Sequence, residues 1–150
     1  MIIQELVKKE NIMMKFQANT KEEAIKKLAE HAFSLDIVTD LSGFIHDVYQ
    51  RESIVSTGIG YGIAIPHAKS IHVKRPSVLF AKSDEGIPFD SLDGKDAQLL
   101  FLIAMPEDGT QAHLKVLAML SRKLMHQDFR DALLDATSAD EVLALLYQMN

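Results

Sequence analysis

The segment Arg51–Lys69 holds the residue types best suited to handling an anion. Three of the chain's seven glycines lie within its positions 58–62, and the first two are Gly58 and Gly60. Glycine adopts positive φ without strain and lets the backbone approach a ligand closely. Successive backbone N–H groups can then converge on one small space that suits an anion, often a phosphate. The glycines therefore predict an anion-binding loop, and their structural alternative is a tight connection with no ligand.

Polar side chains flank these glycines on both sides. Ser56 and Thr57 add hydroxyl donors before Gly58, and Arg51 can supply a bidentate guanidinium. Pro66 restricts the backbone that leads to the imidazole of His67. The pattern predicts a histidine held beside an anion-binding surface formed by the N–H groups near residues 57–60. The alternative is that the two hydroxyls stabilise a turn and the histidine is an ordinary surface residue.

Several better-known site types do not fit this segment. No Gly-Lys-Ser/Thr follows the glycines, as a nucleotide-binding Walker loop requires, and no strand–turn–helix dinucleotide fingerprint is recognisable. His72 follows His67 by five residues without an acidic companion, which is not the helical spacing of a metal-binding pair. No Ser-His-Asp pattern is recognisable either. We therefore predict neither a metal site nor a cofactor.

The composition is that of one ordinary globular domain. The chain has 150 residues, of which 47% are apolar and 25% charged, and its formal net charge is −5. We expect residues 1–150 to form a single domain. Residues 1–75 carry a net charge of +1 and residues 76–150 a net charge of −6, so neither half is basic enough to predict nucleic-acid binding. The chain has no cysteine, which excludes disulfides and thiolate chemistry and fits a reducing compartment.

The sequence contains no segment that predicts membrane insertion. The longest apolar run, Ala97–Met105, is interrupted by Gln98 and falls well short of the roughly 20 residues of a membrane helix. Residues 1–16 have neither the apolar region nor the cleavage site of a signal peptide. We expect a soluble, cytoplasmic protein.

Helical periodicity appears in five stretches, four of which have a candidate N-cap. Thr20 with Glu23, and Ser138 with Glu141, form capping boxes ahead of apolar residues at helical spacing. Asp40 is a third candidate cap. A fourth helix contains the apolar series that begins at Leu114, with Thr110 as its candidate cap, and a shorter one is predicted over 128–135.

Strand-like segments lie between these helices. They are predicted over 12–16, over 77–81 and over 98–104, and the last is apolar on both faces, as in a central strand covered on each side. Helices and strands therefore interleave along the chain. The predicted fold class is α/β, with a sheet that is mostly covered by helices.

Three strings resemble a known family. "STGIGYGIAIPHAK", preceded by Arg51-Glu52, is similar to the active-site signature of the enzyme IIA domain of the bacterial phosphotransferase system, in its fructose/mannitol class. "GIPFDSLDGKDAQLLFLIAMPEDG" and "EDGTQAHLKVLAMLSRKLM" are similar to later parts of the same family, and the resemblance covers nearly the whole chain. It implies a single mixed β-sheet covered by helices on both faces, the phosphotransferase/anion transport protein-like fold.

The resemblance also implies an activity, a phosphoryl carrier without a cofactor. His67 would accept a phosphoryl group from the carrier HPr and pass it to a cysteine of a IIB component, acting with a membrane IIC component in fructose- or mannitol-type sugar uptake. Arg51 and His113 carry over as the arginine and second histidine of the family. Under this interpretation the chain is the IIA domain alone, because it has neither the cysteine of IIB nor the apolar spans of IIC.

Alternatives remain open for the side residues and for the biological role. Thr110 as N-cap would place His113 in the first turn of its helix, where it could hydrogen-bond a phosphoryl group, but His113 could instead be an interfacial helix residue. Arg51 could simply favour a helix C-terminus. The leucine-rich helix, and an acidic stretch (Asp84, Glu85, Asp90 and Asp93), could be a core helix and a solvated loop, or part of a docking surface for HPr and IIB. The same signature also occurs in nitrogen-regulatory IIA proteins, which control partner proteins by their phosphorylation state.

Overall fold

A computed structural model describes residues 2–108 and 111–149, and for Ala112 and His113 the backbone alone. Six α-helices occur in these ranges: α1 (Ile3–Leu6), α2 (Lys21–Ser34), α3 (Leu41–Ile54), α4 (Ala112–Leu124), α5 (Gln127–Asp135) and α6 (Ala139–Tyr147). A short 3₁₀ helix spans Lys9–Asn11. The strands are β1 (Ile12–Met13), β2 (Gly58–Gly60), β3 (Ile63–Ala64), β4 (His67–Ser70), β5 (Ser77–Ile87) and β6 (Ala97–Pro106). No helix within the described ranges is long and apolar enough to cross a membrane.

The six strands form one mixed sheet. Its order is β1-β5-β6-β3-β2, and β4 pairs with β6 beyond the end of β3. The long central pair β5–β6 is antiparallel, whereas β3 and β4 both run parallel to β6. The short strand β4 therefore continues the line of β3 along one side of β6.

Helices cover the sheet on both faces, as the sequence predicts. Along β6, Leu99, Phe101 and Ile103 pack in one apolar cluster with residues of α1, α4, α5 and α6. The alternate residues of β6, beginning with Leu100 and Leu102, pack in a second cluster with α2 and α3. This alternation is the two-residue period of a strand that is buried on each side. The sheet is thus the middle layer of the fold, with a core on either face.

The predicted helix caps are present at three of the helices. The Thr20 and Ser138 hydroxyls accept hydrogen bonds from the N–H groups three residues later, at 3.1 and 3.2 Å, which confirms both capping boxes as helix starts. Asp40 Oδ1 accepts from Gly43 N at 3.4 Å. The N-cap position of α4 is occupied by Gln111, without a side-chain capping bond, and Thr110 lies outside the described residues.

The strand predictions need two corrections. The first predicted strand, 12–16, shortens to Ile12–Met13, because the chain turns away at Lys15, whose φ is +55°. The larger error concerns the glycine-containing segment, which was predicted as a loop and instead contributes β2, β3 and β4. These three strands have only two to four residues each, too few to show a period in the sequence.

Candidate functional site

His67 begins β4, at an edge of the sheet. It lies opposite Ile103 of β6, and Pro66 before it accepts a backbone hydrogen bond from Ile103 N at 3.0 Å. Ala68 and Ser70 are buried, whereas His67 and Lys69 are half-buried. Because side chains alternate along a strand, His67 and Lys69 lie on the same face of β4. The sheet pairing thus fixes the backbone from which the imidazole projects.

A hydrogen bond within the chain fixes the tautomer of the His67 ring. Nδ1 lies 2.9 Å from the carbonyl oxygen of Ile65. A carbonyl oxygen can only accept, so Nδ1 carries the hydrogen, and the lone pair of the neutral ring resides on Nε2. The nitrogen with nucleophilic character in this arrangement is therefore Nε2.

His67 and Arg51 line one open cleft of about 330 Å³ at this edge of the sheet. The cleft is bounded by α3, β4 and α4, and its lining residues are Asp47, Arg51, His67, Ala68, Lys69, Leu114 and Leu117. Arg51 lies in the last turn of α3, and its Nη1 donates to the carbonyl oxygen of Val55 at 3.2 Å. That bond satisfies a carbonyl group at the helix C-terminus and holds the guanidinium at the cleft. The structure therefore brings together two residues that are sixteen positions apart in sequence.

His113 is the second residue of α4, in the first turn, where the sequence predicts it. Leu114 and Leu117 of that helix line the cleft. The backbone of His113 thus belongs to the helix that forms one wall of the cleft. Its contact with a phosphoryl group stays a prediction.

The four residues predicted to bind the phosphoryl group, Ser56, Thr57, Gly58 and Gly60, lie before β3. The first three take part in hydrogen bonds within the protein. Thr57 donates its N–H to Glu52 Oε2 at 2.7 Å and its hydroxyl to Glu52 Oε1 at 2.6 Å. The Ser56 hydroxyl donates to the carbonyl oxygen of Phe89 and accepts from Gly58 N at 3.0 Å. These donors are already bonded, and the residues that line the His67 cleft include none of them. The binding of a phosphoryl group by this stretch therefore stays a prediction.

Gly60, the last of the four, shapes a hairpin. Gly60, Tyr61 and Gly62 all have positive φ, at +94°, +59° and +76°. Tyr61 and Gly62 form the two-residue turn between β2 and β3, and such tight hairpins favour turns with positive φ at both central residues. Tyr61 N donates to Asp93 Oδ2 at 2.9 Å, and Arg130 lies 4.5 Å from the centre of the Tyr61 ring. The glycines are therefore needed for the turn that leads the chain into β3 and β4.

Sequence reasoning gave no role of its own to Glu52, which organises the segment before these strands. Its side chain is 5% exposed and contacts Lys21 Nζ at 3.1 Å, in addition to Thr57. Lys21 also lies 3.3 Å from Asp90 Oδ2. Burial alone would lower the pKa of Lys21, but the hydrogen bonds and charges of Glu52 and Asp90 outweigh it and raise that pKa above its ordinary value. The ion pair thus joins α2, the end of α3 and the loop after β5.

Asp47 and Lys69 are two further cleft residues that sequence reasoning missed. Asp47 precedes Arg51 by four residues on α3, a spacing that puts both on one helix face. It accepts a hydrogen bond from the Ser70 hydroxyl at 2.5 Å, which ties α3 to β4. Lys69 would have been found from its two-residue spacing to His67 if this segment had been predicted as a strand. No group of three or more His, Asp or Glu residues in the described ranges is placed to hold a metal ion.

Comparison with known proteins shows the family to which the chain belongs. The family model described as "Phosphoenolpyruvate-dependent sugar phosphotransferase system, EIIA 2" matches residues 5–149. The chain belongs to this family. It is a component of the phosphotransferase system, and the resemblance found in the sequence is confirmed.

Three similar proteins illustrate the range of the family. The chain is 45% identical, over 87% of its length and 84% of the other, to a fructose-specific EIIA component of Haloferax volcanii. Its fold matches the nitrogen regulatory protein IIA-Ntr of Neisseria meningitidis with a TM-score of 0.89, at 30% identity and over 96% and 98% of the two chains. It also matches the mannitol IIA enzyme of Escherichia coli in a complex with its phosphorylated IIB enzyme, with a TM-score of 0.82, at 29% identity and over 95% and 97% of the chains. Sugar-specific and regulatory proteins therefore share this fold.

Proposed function

We propose that this protein is a phosphoryl carrier that receives its phosphoryl group on Nε2 of His67. The observation that carries the proposal is the hydrogen bond from His67 Nδ1 to the Ile65 carbonyl, which leaves the lone pair on Nε2 at a cleft shared with Arg51. Membership in the EIIA family supports phosphoryl transfer in general. The donor would be the phosphohistidine of HPr and the acceptor a cysteine of a IIB component.

The proposed transfer consists of two displacements at phosphorus. In the first, the Nε2 lone pair forms a bond to phosphorus as the N–P bond of the donor breaks and its electron pair returns to the donor imidazole. In the second, the thiolate of IIB attacks the same phosphorus, and the electron pair of the N–P bond returns to Nε2. Such transfers need in-line positioning and stabilisation of charge on the phosphoryl oxygens. Arg51 offers a planar guanidinium for that charge, and the N-terminal turn of α4, which contains His113, favours an anion nearby.

Fructose- or mannitol-type sugar uptake, with a membrane IIC component, is the role we favour. Its support is the 45% identity to a fructose-specific EIIA component. The second candidate is a regulatory protein that controls its partners by its phosphorylation state, and its support is the high structural similarity to IIA-Ntr. In either role we place the protein in the cytoplasm, in keeping with the absence of cysteine from the chain.

Phosphorylation in a reconstituted system tests the proposal. The protein is incubated with labelled phosphoenolpyruvate, enzyme I and HPr, and base-stable, acid-labile label is measured. We expect stoichiometric label on the wild type and none on His67→Ala. His46→Ala, which removes an exposed histidine of α3, is the matched control and should be labelled normally. Label that persists in His67→Ala would exclude His67 as the acceptor, and an unlabelled wild type would contradict the carrier function.

The transfer step distinguishes the role of His113 from that of His67. It also distinguishes the two candidate functions. Phosphorylated protein is mixed with a fructose-type IIB component, and the rate of label transfer is followed. We expect His113→Ala to accept label but to pass it on slowly. Complete loss of acceptance would show a larger role for His113. A phosphorylated wild type that transfers nothing to any sugar-type IIB would favour the regulatory role.

A further inference from the structure

Lys69 presents an ammonium group at the same cleft as His67. The two residues are separated by one position on β4, so their side chains leave the same face of the strand about 7 Å apart. Both are half-buried, and both line the cleft. A lysine side chain is long enough to bridge that distance to a group bound on the imidazole.

The ammonium group of Lys69 has no anionic partner among the described residues. Lys21 and Lys74 show the contrast, because each forms an ion pair with a carboxylate, at 3.1 and 2.7 Å. The carboxylate that shares the cleft with Lys69 is Asp47, which is bonded to the Ser70 hydroxyl and lies on the α3 wall. A lysine at the cleft that forms no ion pair with the described residues is placed to bind an anion that arrives there.

We propose that Lys69 of β4 binds the phosphoryl oxygens on His67 together with Arg51 of α3. This inference rests on the proposed function, because the anion is the phosphoryl group of phosphohistidine. The two cations differ in kind: the guanidinium of Arg51 is planar and is held by the Val55 carbonyl, whereas Lys69 is a point charge on a flexible stem. Lys69 can therefore follow the phosphoryl group as it moves towards or away from Nε2, while Arg51 fixes its orientation.

Phosphorus NMR on chemically phosphorylated protein tests this contact without HPr. The wild type, Lys69→Gln and Lys69→Arg are loaded with potassium phosphoramidate, and the phosphohistidine resonance is titrated with pH. A nearby cation favours the dianion, so we expect the phosphoryl pKa to rise in Lys69→Gln and to stay near the wild-type value in Lys69→Arg. Lys115→Gln is the matched control, because Lys115 is an exposed lysine of α4 outside the cleft, and it should titrate like the wild type. A general loss of structure would not give this pattern of rescue.

The rate of acceptance from phospho-HPr is the second measurement. Loss of one charge-assisted hydrogen bond to the phosphoryl group should slow Lys69→Gln by roughly tenfold, with the rate restored in Lys69→Arg. An unchanged rate and an unchanged phosphoryl pKa in Lys69→Gln, with normal labelling of the wild type, would overturn the role of Lys69 and leave the carrier function intact. If the phosphoryl pKa depends on Lys69 but phospho-HPr cannot label the protein, the role of Lys69 is supported and the carrier function is contradicted. Failure of phosphoramidate to load His67 in the wild type would contradict both proposals.

Discussion

The buried ion pair between Lys21 and Glu52 offers the sharpest test of how the site is supported. Glu52 accepts three hydrogen bonds, one from Lys21 and two from Thr57, with its side chain 5% exposed. It follows Arg51 directly, so whatever holds Glu52 also fixes the end of α3 from which Arg51 reaches the cleft. The substitution Glu52→Gln keeps the shape of the side chain and removes its charge.

The expected loss of stability follows from these contacts. Removing one partner of a buried ion pair typically costs about 3–5 kcal/mol, because the other charge stays buried without compensation. Two features place Glu52→Gln at the lower end. The amide oxygen of glutamine can still accept one bond from Thr57, and Asp90 Oδ2, 3.3 Å from Lys21, still offsets part of the charge. We therefore expect the free energy of unfolding to fall by about 3 kcal/mol, which for a chain of this size lowers Tm by roughly 6–12 °C.

Urea unfolding followed by circular dichroism measures this loss. With a slope of about 2 kcal/mol/M, the midpoint should fall by about 1.5 M. Asp36→Asn is the matched control, because it removes the charge from an exposed carboxylate that pairs with Lys74 at 2.7 Å, and its midpoint should stay within error of the wild type. A Glu52→Gln midpoint equal to that of the control would refute the view that this ion pair stabilises the end of α3.

Three further substitutions or titrations probe other parts of the structure. An added Cβ at Gly58 would lie 2.8 Å from the carbonyl oxygen of Phe89, so Gly58→Ala should lower the free energy of unfolding by about 1–3 kcal/mol in urea. The N–H groups of Tyr61 and Lys95 donate to Asp93 and lower the pKa of its carboxyl group. The Tyr61 amide resonance should therefore titrate with a midpoint below the ordinary carboxyl value. The stability that the Asp93 carboxylate contributes is fully present above the ordinary carboxyl pKa and is lost as pH falls through the lowered pKa. Lys82→Met leaves two carbonyl groups at the end of α5 without their buried donor, and thermal unfolding should show a loss of about 1–3 kcal/mol.

Local sequence signals predicted the elements that have enough residues to show a period or a cap. Thr20, Asp40 and Ser138 each mark a helix start because a side-chain cap depends on one residue and its neighbours within three positions. The central strand β6 was recognisable because both of its faces are apolar. The strands β2 to β4 were not recognisable, because each is very short and because β3 and β4 gain their hydrogen bonds from β6, which is distant in sequence.

The residues of the candidate site likewise fall into those that a local sequence signal identifies and those whose role depends on the folded structure. His67 and Arg51 were identified from a recognisable string, and the structure brings both to one cleft. Lys69 was missed because its relation to His67 depends on β4 being a strand. Glu52 was missed as a supporting residue because a buried carboxylate is identified by its partner, and Lys21 lies 31 positions away on another helix.

We expect the glycine-rich string to contribute more to folding than to anion binding. Its backbone builds a hairpin and a strand, and its donors bond to Glu52, Ser56 and Phe89, so a substitution there should affect folding before it affects chemistry. The cations at the cleft come from α3 and from β4, the strand of His67 itself, and exchanging Arg51 or Lys69 should affect chemistry before folding. A set of variants with both stability and phosphorylation rates measured would separate into these two groups. Glycine variants that fold with wild-type stability but accept phosphate slowly would instead show that the glycine segment binds the phosphoryl group.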